Sequence, residues 1–417
     1  MSLDDRLHDD SHAMAAELVA LRRKLHAQPE IGLDLPVTQR TVLEAIDGLG
    51  LEVTTGTSVS SVTAVLRGAG NGPAVLLRGD MDALPLQERT GLDFASKVDG
   101  AMHACGHDLH TAMLVGAARL LTAHRDALEG DVVFMFQPGE EGWDGAGRML
   151  DEGVLDAAGQ RVASAYGMHV MSSEIPRGTF TTRPGTLMAA SDGMHVIVHG
   201  AGGHGSAPHL AYDPVTAASE MVTALQTLVT RRFDIFDPVV VTVGAFHAGT
   251  RHNIIPDEAQ FDATVRSFSP RARDRIRIEA PALCRQIAAA YGMEADVRYD
   301  DEYPMTVNDG AHAAFVEDVV AEVFGGERYE HMQNPNAGAE DFSRVLEAVP
   351  GSYLMVGAHP GDDINGPNNH SPRADFAEEV IPDGVLLHAQ LAIRALRRDV
   401  RTMHPDSPEA ATIPLNA

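Results

Sequence analysis

Short apolar stretches typical of β-strands alternate with helical segments along the first part of this 417-residue chain. The sequence predicts strands at 74–77, 131–136 and 163–168 and helices at 13–26 and 109–121. Strands that alternate with helices form a sheet with helices packed on its faces. The pattern therefore predicts an α/β domain whose ligand site lies at the carboxyl ends of the strands.

The middle of the chain has a different order of elements. A strand, a helix, two strands, a helix and a last strand are predicted there, at 195–198, 214–231, 239–246, 259–265, 271–291 and 295–299. This β-α-β-β-α-β order is the ferredoxin-like pattern and makes a complete small α+β domain.

The first pattern then resumes, with helices predicted at 310–324 and 384–398 and a strand at 352–356. We therefore expect one α/β domain interrupted by an insertion. Its first part is residues 1–189, the inserted domain is residues 190–302, and its second part is residues 303–417. The last residues, 405–417, are expected to form a loose tail.

Composition excludes several classes of function. The formal charge is −27, from 32 basic and 59 acidic residues, which argues against binding to nucleic acids or to anionic membranes. No apolar run approaches the length of a membrane span, and no signal peptide is readable at the N-terminus. Cys105 and Cys284 cannot build a disulfide framework, so we expect a cytoplasmic protein.

The segment His103–His110 concentrates metal-binding chemistry, with three histidines, one cysteine and one aspartate in eight residues. Cys105 and His107 alternate, so both can face one ion, and a thiolate with an imidazole suits Zn²⁺, Ni²⁺, Co²⁺ or Mn²⁺. Two other interpretations stay open here. Cys105 is a buried free thiol with neighbouring surface histidines, or it is a nucleophile with His107 as its base.

A second candidate is the adjacent pair Glu140 and Glu141, which follows the strand predicted at 131–136. Adjacent carboxylates point in different directions, so one can bind a metal while the other acts as general base on a water. An acidic surface turn has the same pattern. His169 ends a predicted strand, where a core histidine is as good an interpretation as a ligand. His370 lies in a polar loop that can present an imidazole.

The inserted domain carries His204 between glycines, with Asn253 and Arg266 farther along. An imidazolium, an amide and a guanidinium can hold an oxyanion and a substrate carboxylate. The alternative is a turn at a domain edge together with a surface arginine.

Together these motifs resemble one family over nearly the whole chain. It is the amidohydrolase branch of the dinuclear-metal aminoacylase and carboxypeptidase superfamily, which includes hippurate hydrolases, N-acyl-amino-acid amidohydrolases and auxin-conjugate hydrolases. The fold expected from it is a zinc-exopeptidase-like catalytic domain with an inserted lid and dimerisation domain. The matching segments, in order, are 23–30, 79–85, 102–110, 138–141, 202–204, 253–256, 338–342 and 369–370.

The resemblance implies a role for each candidate. Two divalent metal ions would be held by five residues, which are Cys105, His107, Glu141, His169 and His370. Glu140 would be the general base. The inserted domain would form a homodimer interface, where His204 reaches the partner's site to hold the oxyanion, and Asn253 and Arg266 would lie near the substrate's carboxylate.

One motif departs from the wider superfamily. Its usual His-x-Asp metal motif is replaced here by Asp80-Met81-Asp82. Asp82 is therefore predicted to orient a ligand rather than to bind metal, and no metal role is assigned to Asp80, Asp108 or His110.

The expected reaction is hydrolysis of an N-acyl amino acid, such as a hippurate-like or N-acetyl substrate. A dipeptidase or carboxypeptidase, or an N-acetyl-diaminopimelate deacetylase, would use the same site. A non-catalytic binding protein is a further alternative, against which the intact pair Glu140-Glu141 argues.

Overall fold

The computed structural model describes residues 1–361 and 364–397, so the tail expected at 405–417 lies outside the described residues. These residues form two compact units. The larger contains 1–185, 308–333 and the described part of the chain from 344 onward, and the smaller contains 186–307 and 334–343. No helix in the described ranges has both the length and the apolar character needed to cross a bilayer.

The helices, in chain order, are α1 (Leu3–Ala13), α2 (Ala15–His26), α3 (Pro36–Ile46), α4 (His107–Ala123), α5 (Gly145–Asp151), α6 (Pro214–Arg232), α7 (Pro270–Ala290), α8 (Gly310–Phe324), α9 (Ser343–Ala348) and α10 (Ile381–Arg397).

The strands are β1 (Glu52–Thr55), β2 (Val62–Leu66), β3 (Ala74–Asp80), β4 (Asp131–Gln137), β5 (Ser164–Met171), β6 (Phe180–Thr182), β7 (Gly185–Met188), β8 (Ala190–His199), β9 (Gly203–His204), β10 (Val239–Ala248), β11 (Ile254–Ile255), β12 (Glu258–Ser267), β13 (Glu294–Tyr303), β14 (Thr306–Asn308), β15 (Tyr329–His331) and β16 (Gly351–Gly357).

The larger unit is built around an eight-stranded sheet with the order β1-β2-β4-β3-β5-β16-β6-β15. Its central strands β4, β3, β5 and β16 run parallel to one another. Strands β3 and β16 are buried at every residue, as expected for parallel strands covered on both faces. The predicted α/β fold class is confirmed.

Helix α4 crosses from β3 to β4 and is buried over most of its length. It begins at His107, two residues earlier than predicted, directly after Gly106. Gly106 has φ +85°, and a Cβ built on it would lie 2.4 Å from Cγ2 of Val170. Only glycine satisfies both conditions, so this residue fixes how Cys105 and His107 leave the loop and enter the helix.

The smaller unit contains a four-stranded antiparallel sheet with the order β10-β12-β8-β13. Its elements follow one another as β8-α6-β10-β12-α7-β13. Apolar residues of α6, α7 and one face of the sheet form its core, which contains Cys284. Burial raises the pKa of Cys284 to about 12, so this thiol is unreactive. Residues 334–343, predicted in the second catalytic part, belong to this unit. Its role in dimerisation stays a prediction.

Candidate metal centre

The carboxyl ends of the central parallel strands bring the predicted residues of the larger unit together. The register pairs Asp80 of β3 with Gln137 of β4, and Arg78 of β3 with Gly167 of β5. The expectation that Asp80 and His169 follow their strands was wrong by a few residues. Asp80 is the last residue of β3, and His169 lies inside β5. Each strand is longer than its apolar run because its backbone pairing continues into the polar residues.

His107 and His169 each use one ring nitrogen in a main-chain hydrogen bond. Nδ1 of His107 lies 2.9 Å from the carbonyl oxygen of Asp82, and Nδ1 of His169 lies 2.8 Å from that of Val170. A carbonyl accepts, so each Nδ1 donates the proton and each Nε2 presents a lone pair. This is the tautomer in which a histidine binds a metal.

Cys105 is common to two groups of possible ligands. The first group is Cys105, His107 and His169, and the second is Cys105, Glu141 and His370. Within each group the ligand atoms lie within 4.8 Å of one another. The Sγ of Cys105 lies 3.2 Å from Nε2 of His169, and Nε2 of His370 lies 3.2 Å from Oε1 of Glu141. All five predicted ligands therefore converge around one thiol.

The loop that carries His370 is held against the loop that carries Cys105. His370 has φ +68°, in the left-handed region, and its N–H donates to the carbonyl of Ala104 at 2.8 Å. The side-chain amide of Asn369 donates to the carbonyls of Cys105 and Val170. Sequence reasoning gave Asn369 no role, although its position beside His370 was the available signal.

Asp82 anchors the carboxylate pair. Its two side-chain oxygens accept the main-chain N–H groups of Glu140 at 2.9 Å and Glu141 at 3.1 Å. Its carbonyl oxygen accepts from His107, as described above. Asp82 therefore contacts three of the candidates and lies in neither group that contains Cys105. Its role in orienting a ligand stays a prediction.

Glu140 and Glu141 have different surroundings. Glu141 belongs to the group with Cys105 and His370, whereas Glu140 is found in a separate group with His107 and Glu141. Glu140 is 7% exposed. Glu141 therefore lies close enough to Cys105 to share an ion with it, whereas Glu140 shares no such group with that thiol.

A buried polar network lies beneath the candidate ligands. Nδ1 of His110 is 2.6 Å from Oδ1 of Asp80, and its Nε2 accepts the main-chain N–H of Val170 at 2.8 Å. The other side-chain oxygen of Asp80 accepts a hydrogen bond from Arg78 at 2.6 Å. Arg78 also donates to the side chain of Gln137. This network ties the ends of β3, β4 and β5 to α4. The sequence left Asp80 and His110 without a role.

A second network holds the residue after His107. The carboxylate of Asp108 is buried and lies 2.7 Å from Arg22 and 2.9 Å from His26, both on α2. Arg22 holds the pKa of Asp108 well below its usual range, although burial acts in the opposite direction. Burial lowers the pKa of His103 to about 3, and neither ring nitrogen of His103 bonds to a described residue.

The donor atoms fit divalent metal ions on two grounds. Nε2 of His107 is buried and has no hydrogen-bond partner among the residues described, as expected for an atom reserved for a ligand. The set is also rich in negative charge. Hydrogen bonds to Cys105 and Glu141 raise the pKa of His370 to about 10, so this group of anions attracts a cation.

The smaller unit separates its three candidates. His204 and Asn253 are neighbours, because β9 pairs with β11 and the N–H of Gly205 donates to the carbonyl of Asn253 at 2.9 Å. Arg266 lies at the opposite end of the sheet, beside Ser191 and Val240. The length of β12 separates the two positions by roughly 25 Å. One copy of this unit therefore cannot place Asn253 and Arg266 on the same small substrate.

Comparison with known proteins agrees with this geometry. Residues 76–394 match the model of peptidase family M20/M25/M40. The chain belongs to this family. The predicted resemblance and the amidohydrolase class are thereby confirmed, and the protein is a metal-dependent hydrolase.

Three similar proteins illustrate the range of the family. Thermostable carboxypeptidase 1 of Saccharolobus solfataricus is 37% identical over 94% of this chain and 99% of its own. The N-acetylcysteine deacetylase of Bacillus subtilis is 34% identical over 92% of this chain and 98% of its own. The Bacillus subtilis YXEP structure, described as a dinuclear metal binding peptidase, has a TM-score of 0.78 and 32% identity, over 93% of this chain and 99% of its own. The prediction of two divalent ions is confirmed.

Proposed function

We propose that this M20 hydrolase cleaves the amide bond of N-acyl amino acids, with Glu140 as general base. The observation that carries the proposal is the different position of the two adjacent carboxylates around Cys105. Both are fixed through their main-chain N–H groups by Asp82. The main chain of Glu140 is therefore held in place without its side chain binding a metal.

Cys105, His107, Glu141, His169 and His370 are the proposed metal ligands. Divalent ions bound there would lower the pKa of the attacking water and polarise the acyl carbonyl.

Glu140 performs the proton transfers. It accepts a proton from water as the water oxygen attacks the acyl carbon, and it returns that proton to the amide nitrogen as the C–N bond breaks. The products are a carboxylic acid and a free amino acid, so atoms and charge balance without a further reactant. His204 donates a hydrogen bond to the oxyanion that forms on the former carbonyl oxygen.

The proposed assembly is a homodimer. It is supported by the separation of Asn253 and Arg266 within one smaller unit, which a partner subunit would overcome. Nδ1 of His204 accepts from the N–H and the hydroxyl of Ser206. This bond leaves Nε2 as the donor toward a substrate in the partner. A reducing cytoplasm is the proposed compartment, because both cysteines are free thiols.

The test is metal analysis of the purified protein with a substrate panel. We expect two divalent ions per chain and turnover of N-acetyl and N-benzoyl amino acids, abolished by a chelator and restored by Zn²⁺ or Mn²⁺. Activity that survives complete metal removal would overturn the proposal and favour Cys105 as a nucleophile.

A carboxypeptidase or dipeptidase acting at the same site is the second candidate. It is favoured by the 37% identity to the Saccharolobus carboxypeptidase. Including dipeptides and N-blocked dipeptides in the panel decides between the two, since the better substrate class will show the higher kcat/KM.

A further inference from the structure

Trp143 is the only tryptophan of the chain and is 52% exposed. Among the described residues of the larger unit, it is the one Phe, Tyr or Trp whose side chain is exposed. A large aromatic surface is usually buried in the core or used in binding, because its exposure to water is unfavourable. Trp143 follows Glu141 by two residues, so this exposed ring lies close in the chain to a proposed metal ligand.

The loop that carries Trp143 has a fixed conformation. The N–H of Gly142 donates to the carbonyl of Glu140 at 2.7 Å, and the N–H of Gly145 donates to that of Gly139 at 3.1 Å. Asp144 has φ +56°, which a residue other than glycine rarely adopts. Its carboxylate accepts a hydrogen bond from Arg344. The indole is thus presented by a closed loop rather than by a free one.

One face of the indole lies on Gly32. A Cβ built on Gly32 would lie 3.1 Å from Cε2 and 3.4 Å from both Cδ2 and Nε1 of Trp143. Three ring atoms at nearly equal distances place Gly32 over the ring face rather than at its edge. With φ +81°, Gly32 also has a backbone conformation that favours glycine. The ring is therefore supported on one side and half exposed.

The support continues to the candidate metal centre. Ile31 precedes Gly32 and pairs with Ala83 in an isolated bridge, and Ala83 follows Asp82. The N–H of Ala83 also donates to the carbonyl of Glu30 at 2.8 Å. Trp143 is thereby placed beside the segment that flanks the anchor of the carboxylate pair. Ile31 is itself 37% exposed, so the residue next to Gly32 adds exposed apolar surface.

We propose that Trp143 receives the acyl group of the substrate, and that planar aromatic acyl groups are preferred. This inference rests on the proposed function. The amino-acid half of such a substrate carries a carboxylate, which an apolar indole face does not bind. The acyl half is uncharged, and a flat ring stacks on a flat ring. Benzoyl and arylacetyl groups have this chemistry, whereas an acetyl group has too little surface to use it.

The kinetic test compares acyl groups on one amino acid. We expect Trp143→Ala to lower kcat/KM for N-benzoyl and N-phenylacetyl derivatives by about tenfold, since stacking contributes about 2- to 12-fold and the lost burial of ring area adds to it. The same variant should change kcat/KM for the N-acetyl derivative by less than about threefold. Trp143→Phe keeps an aromatic face and should retain most of the preference. Phe236→Ala removes an aromatic that is 89% exposed in the smaller unit and is the matched control.

A second test uses the fluorescence of the single tryptophan. Glu140→Gln is expected to bind substrate without turnover, so its emission can be titrated with N-benzoyl and N-acetyl forms of one amino acid. We expect a saturable change in intensity or wavelength with the benzoyl form and a much smaller one with the acetyl form.

The outcomes separate the two proposals. Hydrolysis with an unchanged acyl preference in Trp143→Ala, or saturable benzoyl binding with no change in emission, overturns the role of Trp143 and leaves the proposed function standing. An absence of hydrolysis of every N-acyl amino acid overturns the proposed function itself.

Discussion

His107 and His169 owe their proposed metal binding to single hydrogen bonds from Nδ1 to main-chain carbonyls. Each bond fixes the ring orientation, so Nε2 is the nitrogen that faces Cys105 or remains for a ligand. Glu140 and Glu141 are fixed in the same way, through N–H groups rather than through their carboxylates. Their main-chain positions therefore do not depend on what the carboxylates bind, and the single-residue predictions follow from that division.

Glu140→Gln should keep both metal ions and lose activity by roughly 10²- to 10⁴-fold, because the amide has the same shape but accepts no proton. Metal content by elemental analysis and kcat on an N-acyl amino acid measure the two effects. Loss of metal together with activity would identify Glu140 as a ligand. Near-normal turnover would remove it from the mechanism.

His370→Ala should reduce the metal content, because it removes one member of the group with Cys105 and Glu141. The free metal concentration that fills half of the sites, measured in competition with a chelator, should be higher for the variant than for the wild type. His124→Ala is the matched control, since His124 lies at the opposite end of α4 from His107 and pairs with Asp10. Equal stoichiometry and affinity in both variants would contradict the assignment.

A buried polar network, and not the loops alone, holds the ends of β3, β4 and β5 in fixed positions relative to one another. His110 receives the N–H of Val170 and contacts Asp80, which Arg78 binds in turn. The His110 and His169 rings lie 4.8 Å apart, edge to face. Helix α2 also holds the first turn of α4, because Arg22 and His26 of α2 bind the carboxylate of Asp108. The site is therefore formed by the carboxyl ends of β3, β4 and β5 together with the N-terminus of α4.

The role of His110 can be tested by replacing it with Gln or with Asn, whose side-chain amides lie at different distances from the main chain. Gln can place an acceptor near the position of Nε2 and hold Val170, whereas Asn reaches only the position of Nδ1. We therefore expect His110→Gln to keep metal affinity closer to the wild type than His110→Asn. Denaturant unfolding of the metal-free proteins provides a readout independent of activity. Equal losses in both variants would mean that the contact with Val170 does not position the site.

The contact of α2 with α4 should depend on pH. Asp108 and Glu88 raise the pKa of His26 to about 9 against the opposing effect of burial. A pKa raised on folding stabilises the protein fully below the unfolded value of about 6.5, and the effect is lost as the pH rises through 9.

For His26→Gln we therefore expect a loss of roughly 3 kcal/mol in unfolding free energy at pH 6 that shrinks toward pH 10. Parallel urea titrations of the wild type and the variant measure the difference. A difference that is the same at both pH values would show that His26 is not charged in the folded state.

On the scale of the molecule, the chain divides its candidates between two units. The larger holds the thiol, the carboxylate pair and the three imidazole ligands, and the smaller holds His204 and Asn253 at one end and Arg266 at the other. Burial lowers the pKa of Arg266, and its Nη1 has no hydrogen-bond partner among the described residues. A guanidinium placed in this way suits a carboxylate ligand.

Mixing two inactive variants tests the dimer. His204→Ala should keep its metal and fold yet lose rate by roughly 10²- to 10³-fold. If His204 serves the partner's site, co-expression with Glu140→Gln creates one intact site per mixed dimer. The mixture should recover up to roughly a quarter of wild-type activity. Recovery no greater than the sum of the two variants would place His204 in its own chain's site or outside catalysis.

Several parts of this protein were predictable from local patterns. The helix at 310–324 was predicted residue for residue, and the β-α-β-β-α-β order matches the smaller unit, because strong apolar periodicity determines an element with little help from its surroundings. The ends of β3 and β5 were predicted too early, so Asp80 and His169 lie within strands that were expected to stop before them. Backbone pairing with a neighbouring strand does not depend on apolar side chains.

The order of amino acids alone shows which residue types are available: two adjacent carboxylates after a strand, a cysteine and a histidine separated by one residue, and glycines at the turns. How these residues are used depends on the three-dimensional fold. The sharing of Cys105 between two groups, the anchoring of the carboxylate pair by Asp82 and the support of Trp143 by Gly32 all join segments distant in the chain. Such contacts depend on three-dimensional distances of a few ångströms, which local propensity and periodicity do not contain.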